Sequence, residues 1–283
     1  MIRLTDFKIE ENELITHEKI FRFCNDKKNE ILEYIKTDFI KDRNGNIVTI
    51  SNWRDLNKKI DLNKIQILIS GHSDYEISYN ELDILNNNNL KIWIAENKNL
   101  QHSKLFSLPI GLNNKEEPNS YIHDLIGNLQ KNIPLISKTP KNIKNLVYMN
   151  FSIETFPYER QKVYDLYKNE SWVTNDVYEI SENGHINFLN KIYSHKFIFA
   201  PRGNGIDTHR LWESLYLRSI PIVKKCIGME DFYDLPILFV DDWENITEDF
   251  LNEKYEEIIS KEYPLYKLKI GYWFEKITNI LEQ

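Results

Sequence analysis

The chain has 283 residues, with 36 Lys and Arg against 43 Asp and Glu, a net charge of −7, and 41% hydrophobic and 13% aromatic residues. That apolar share excludes global disorder, and the length accommodates two domains of moderate size. The acidic balance excludes a protein that coats nucleic acid or anionic membrane, since both demand an extended basic surface, while a local anion site stays open.

Cys24 and Cys226 form neither a disulfide framework nor a zinc-ligand spacing. The start, Met1-Ile2-Arg3-Leu4-Thr5-Asp6, lacks the apolar core of a signal peptide, and no apolar run approaches the ~20 residues of a membrane span. The expectation is a cytoplasmic protein without a transmembrane segment.

Residues 1 to about 60 read as polar and mostly helical, with Ile20, Phe21, Phe23, Ile31, Leu32, Tyr34 and Ile35 at spacings of one, three and four. Asn44-Gly45 marks a turn. Ile65 to Ser70 is a β-branched run that stops at Gly71-His72-Ser73-Asp74, and the asparagines 86–89 form a loop. Strands follow at Leu90 to Ala95 and Phe106 to Ile110. The stretch 113–145, rich in Asn and Lys and carrying Pro118, Pro134 and Pro140, is the expected connection between domains.

Beyond it the spacing predicts a strand over 146–151, a helix over 158–168, an extended Trp172-Val173-Thr174, a helix over 186–193 and a strand over 197–200. Strands alternating with helices read as βαβ units on a parallel sheet. A helix over 207–218 follows, with Leu211, Trp212 and Leu215 on one stripe, then strands over 220–223 and 236–240. Asn245-Ile246-Thr247-Glu248 resembles a capping box that opens a helix over 248–259, and Tyr263 to Leu281 reads as one aromatic helix.

The segment that carries chemistry runs from Phe197 to Val223: strand, glycine loop, helix, strand. Its loop, Pro201-Arg202-Gly203-Asn204-Gly205, falls at the carboxyl edge of a sheet, where open α/β folds bind ligands. Gly203 and Gly205 lack the Cβ that blocks close backbone approach. The helix after them aims N–H groups and its positive end at the same space, an arrangement suited to phosphate, and Arg202 and Arg210 would pair with that phosphate. Thr208 stands where the third glycine of a dinucleotide fingerprint would be, and no Gly-Lys-Ser/Thr follows, so neither that motif nor a P-loop is present.

The run from Pro201 to Tyr216, followed by Ser219-Ile220-Pro221-Ile222-Val223 and Leu235 to Trp243, resembles the exostosin-like glycosyltransferases. Weaker echoes are Ser70 to Asp74, Trp93 to Asn97, Leu108 to Leu112, and Asn150-Phe151-Ser152 ahead of Arg160, so the likeness covers most of residues 65–260. Arg218 departs from it, since the family's helix usually ends there in Gly. The resemblance implies a GT-B architecture of two Rossmann-like domains facing across a cleft. Residues 1–140 would form the acceptor side and 141–262 the nucleotide-sugar side, with the segment 263–283 crossing back to the first domain through Tyr272, Trp273 and Phe274.

It further implies a donor that is a nucleoside diphosphate sugar, with uridine as the base, a glycan or glycolipid acceptor, inversion at the anomeric carbon and no metal. The donor would be bound by Arg202, Gly203, Asn204, Gly205, Thr208, His209, Arg210 and Glu213, with Glu213 on the ribose hydroxyls and the two arginines on the diphosphate. The base acting on the acceptor hydroxyl would come from the opposite domain, where Asp74, His72 and Glu96 are the candidates.

Each residue has a plainer alternative. Asp207 caps the helix, Arg210 and Glu213 form a surface ion pair, Asp74 and His72 shape a loop, and His209 packs. Asp241 and Asp242 lack the spacing of a metal-binding Asp-x-Asp and suit a capped turn. Two rival functions remain open: a nucleotide-sugar hydrolase or epimerase, and a nucleotide- or glycan-binding module without a base.

Overall fold

Two largely parallel sheets organise the chain, and their carboxyl edges meet at the glycine loop. The computed structural model describes residues 1–26, 33–36, 39–41, 47–48, 67–71, 74–114 and 121–282. In chain order, β1 (Ile2–Arg3) and α1 (His17–Asp26) come first. The first sheet is built from β2 (Glu33–Lys36), β3 (Phe39–Lys41), β4 (Ile47–Val48), β5 (Ile67–Gly71), β6 (Ile92–Ala95) and β7 (Leu105–Ser107), with α2 (Leu82–Leu85) between β5 and β6. Its order is β4-β3-β2-β5-β6-β7, with β2, β5, β6 and β7 parallel and β3 and β4 antiparallel at one edge.

Tyr34 and Ile35, expected in a helix, lie in β2 and pair with Ile69 and Ser70. A short apolar run fits either period, and pairing with β5 decides it. Ile31, Leu32 and the Asn44-Gly45 turn lie outside the described residues.

The expected connection contains α3 (Tyr121–Leu129) and α4 (Asn132–Lys138), which pack on helices of the second half. Pro134 sits in the first turn of α4, where its missing N–H costs nothing, and Pro140 follows the helix end. The second sheet takes β8 (Asn145–Met149), β9 (Val173–Asn175), β10 (His195–Phe199), β11 (Ile220–Lys224) and β12 (Leu238–Val240), all parallel in the order β12-β11-β10-β8-β9. Its helices are α5 (Pro157–Tyr167), α6 (Glu182–Tyr193), α7 (His209–Tyr216) and α8 (Glu248–Ser260). The central strands β10 and β11 are buried hydrophobic runs, as a parallel sheet covered on both faces requires.

From β8 the chain steps to β9 on one side and returns to β10 on the other, so the strand order reverses between β8 and β10. In open α/β sheets that reversal opens a crevice beyond the carboxyl ends of the two strands.

Two helix boundaries differ from expectation. α7 begins at His209 with Thr208 as N-cap, because the Asp207 carboxylate is engaged elsewhere. α8 is capped by Thr247, whose Oγ1 accepts from the Phe250 N–H at 3.2 Å, instead of by Asn245. The C-terminal segment is not one helix: β13 (Glu262–Tyr263) pairs with β1, a 3-10 turn spans Leu265–Leu268, and α9 (Ile270–Leu281) follows. Pro264 explains the break, since the residue before a proline is driven to extended backbone.

Leu4, Phe7, Ile9, Leu14 and Ile15 are buried in one apolar cluster with β8, β10, β11 and α7. Phe23 of α1 stacks on Phe274 of α9, ring centroids 4.4 Å apart. No helix among the described residues is long and apolar enough to cross a membrane.

Candidate active site at the carboxyl edges

The loop after β10 is fastened by side chains from distant parts of the chain. Arg160, on α5 and 5% exposed, donates from Nε to the Arg202 carbonyl at 2.8 Å and from Nη1 to the Ser152 carbonyl at 2.8 Å. Gly203 fits this clasp closely: a Cβ there would stand 3.0 Å from Arg160 Nη2. A Cβ on Gly205 would stand 2.9 Å from Asn97 Nδ2.

Asn97, just beyond β6 in the left-handed region at φ 53°, accepts the N–H groups of Ile206 and Asp207 on Oδ1 at 2.8 and 3.0 Å. The glycines therefore admit Arg160 and Asn97, and the Ile206 and Asp207 N–H groups ahead of α7 are already satisfied.

Asp207 does not cap α7. Its carboxylate accepts from the Ile110 N–H at 2.8 Å and from the Trp212 indole at 2.9 Å, and full burial pushes its pKa up to about 7. His209 Nδ1 donates to the Gly111 carbonyl at 2.8 Å, and burial lowers its pKa. Gly111 holds φ +64°, and a Cβ there would meet the Ile15 carbonyl oxygen at 2.4 Å. Arg202 pairs with Glu76 Oε1 at 2.6 Å and lies 4.4 Å from the centroid of Phe156, while Asn204 Nδ2 donates to Asp74 Oδ2 at 3.3 Å. These contacts place the carboxyl edge of the first sheet against the loop of the second.

Arg210 and Glu213 stand deeper, one turn apart on α7. Arg210 Nε is buried and has no hydrogen-bond partner among the described residues; the guanidinium lies 5.7 Å from the centroid of Phe188. Glu213 is 6% exposed, and burial pushes its carboxyl up to about 7 against the opposing pull of Arg210. Asn150, after β8, is 2% exposed and keeps Oδ1 without a partner while Nδ2 donates to Asp176 Oδ1 at 2.7 Å. A buried donor and a buried acceptor are thus left unsatisfied at the point where the strand order reverses. Such atoms are uncommon in a folded protein unless something else completes them.

At the first sheet's edge, Asp74 is exposed, His72 lies outside the described residues, and Glu96 is 3% exposed with Oε1 on His17 Nδ1 at 2.8 Å. Gly71 leaves room for that pair: a Cβ there would meet His17 Cε1 at 2.7 Å and Glu96 Cδ at 2.8 Å. His17, Asn97 and Glu76 escaped sequence reasoning, because the partners that bring them to this edge are distant in sequence: Glu96 for His17, Ile206 and Asp207 for Asn97, and Arg202 for Glu76. Asp241 and Asp242 pair with Lys225 and Lys224 at 2.8 and 3.1 Å. Among the described residues no group of three or more His, Cys, Asp or Glu gathers as a metal-ligand set.

No protein-family model and no curated protein matches the chain. Among solved structures it is similar to an alpha1,3-fucosyltransferase at TM-score 0.44 and 11% identity, over 76% of this chain and 72% of that one. It is also similar to an alpha1,3-fucosyltransferase solved with GDP-fucose, at TM-score 0.43 and 13% identity, over 79% of this chain and 80% of that one.

Proposed function

We propose that the chain is a glycosyltransferase of GT-B type that transfers a sugar from a nucleoside diphosphate to a glycan hydroxyl, with inversion and without a metal. The first sheet, within residues 1–140, forms the acceptor side and the second, within 141–262, the donor side, with residues 4–15 and 121–138 packed on the donor half and 263–283 returning to α1. The observation that carries this reading is the buried, unpartnered Arg210 Nε beside Glu213 at the strand-order reversal. An unpartnered guanidinium N–H takes an anionic acceptor, and a diphosphate supplies one.

In the transfer, the acceptor oxygen bonds to the anomeric carbon while the bond from that carbon to the phosphate oxygen breaks, its electron pair leaving with the diphosphate. Arg210 stabilises the charge that develops on the leaving group, a role open to a fixed cation in a water-poor site. Glu213 accepts from the ribose hydroxyls. Arg202 is paired with Glu76 and stacked on Phe156, so it shapes the loop and meets the diphosphate only by exchanging partners. Asn204, Thr208 and His209 line the same edge.

The acceptor proton goes to a carboxylate on the opposite edge. Asp74, exposed and bonded to Asn204, and Glu96, held by His17, are the two described candidates.

Incubation of nucleotide sugars with a glycan panel under chelator tests the reading. Transfer with wild type, and a loss of about a hundredfold or more in either Asp74→Asn or Glu96→Gln with nucleotide binding intact, is the expected result. Donor consumption without any acceptor would make the chain a hydrolase or epimerase. Donor binding with neither transfer nor hydrolysis would make it a binding module.

A further inference from the structure

A cavity of about 550 Å³ lies between β8, β9 and α6, lined among others by Tyr148, Asn150, Asp176, Tyr178, Phe188 and Lys191. Its volume is in the range of small-ligand sites. It adjoins the Arg210–Glu213 pair: Phe188 lines it and carries the Arg210 guanidinium near its face, and the charge of Glu213 helps burial raise the Tyr178 phenol to about 12. A nucleotide with its diphosphate on Arg210 and its ribose on Glu213 therefore directs its base toward this space.

Two acceptors stand side by side in the polar lining, Asn150 and Asp176. Asn150 Oδ1 is buried without a partner. The Asp176 carboxylate takes the Tyr148 hydroxyl at 2.6 Å and Asn150 Nδ2 at 2.7 Å on Oδ1, while Oδ2 faces Lys191 Nζ at 3.7 Å. The fixed bond from its own amide to Asp176 orients Asn150, so the amide cannot turn its NH₂ toward a ligand without losing that bond. The half-buried Tyr178 ring, set edge-on to Phe188 with centroids 5.5 Å apart, supplies an aromatic face for stacking.

Resting on the donor reading above, the geometry points to this cavity as the nucleobase site and to guanine as the base. Guanine presents a ring N–H and an exocyclic NH₂ side by side, with a carbonyl oxygen next to them. The two nitrogen donors match Asn150 Oδ1 and Asp176, and the carbonyl matches the Lys191 ammonium. Uracil presents a single N–H flanked by two carbonyl oxygens, so one of those oxygens would face an acceptor. A buried acceptor left unmatched makes such a site discriminate strongly.

Calorimetry with GDP, UDP and inosine diphosphate, which is GDP without the exocyclic amine, tests the assignment. GDP should bind wild type at least about tenfold more tightly than either of the others, one tenfold step being one lost hydrogen bond's worth of discrimination. In Asp176→Asn the preference for GDP over UDP should shrink by about tenfold, with the variant's folding checked by its thermal transition. The comparison of GDP with inosine diphosphate needs no variant. If no nucleotide binds, the donor reading of Arg210 and Glu213 fails. If UDP or inosine diphosphate binds as tightly as GDP, the donor reading stands and the guanine assignment falls. A GDP preference that survives unchanged in a folded Asp176→Asn would place the base elsewhere.

Discussion

Two buried carboxyls set the behaviour of single residues at this site. Glu213 and Asp207 are both pushed up to about 7 by burial, whereas in the unfolded chain they ionise near their ordinary values of about 4. Between those limits the folded state binds more protons than the unfolded state, so stability falls as pH rises. Their contribution is complete below about pH 4 and is lost as pH passes through 7. Thermal melting of wild type should therefore decline from about pH 5 to about pH 8 more steeply than melting of Glu213→Gln, which has no proton to lose. Parallel declines would mean that Glu213 ionises in the fold as it does in water. The same burial explains why Arg210 and Glu213, three apart on a helix, are not the surface ion pair that their spacing allows.

At the scale of elements, the join between β6 and α7 depends on Asn97. Its side chain satisfies two backbone N–H groups ahead of α7, and its backbone sits in the left-handed region. Asn97→Ala strips both N–H groups of their acceptor and keeps the unfavourable backbone, so it should cost about 3 kcal/mol in urea unfolding. Asn97→Gly should recover about 1 kcal/mol of that loss through backbone freedom alone. Equal losses would show that the left-handed backbone carries no cost here.

Arg218 shows the same logic at the other end of α7. It holds φ 58° where a glycine would suit. Its guanidinium bonds the Thr5 carbonyl at 2.9 Å, the Ser137 carbonyl at 2.8 Å and the Tyr193 hydroxyl, which offsets the backbone cost. The strand, loop and helix from β10 through α7 to β11 were legible in the sequence because their signals are local: short apolar runs, paired glycines and an apolar stripe. The partners of that loop were not, since Asn97 and Arg160 reach it from 109 and 42 residues away.

For the whole molecule, the decisive feature is that two parallel sheets present their carboxyl edges to one another, tied by Asp207 to Ile110, His209 to Gly111, Arg202 to Glu76 and Lys98 to Asp231 at 3.0 Å. Alternating strands and helices foretold the parallel second sheet. They did not foretell that Leu4, Phe7, Ile9, Leu14 and Ile15 would pack with that second half, since Leu4 and Phe7 carry no local sign of where they are buried. The likeness of the central motif to exostosin-like enzymes implies uridine, whereas the cavity beside Asp176 is the ground on which guanine is proposed. Pocket chemistry depends on loops that the motif does not contain.

A nucleoside diphosphate should complete the buried Arg210 Nε, and a crystal structure of the chain with GDP bound would show it. The expected result is a diphosphate oxygen within about 3 Å of Arg210 Nε and ribose hydroxyls on the Glu213 carboxylate. A nucleotide bound elsewhere, with Arg210 Nε still making no bond, would contradict it.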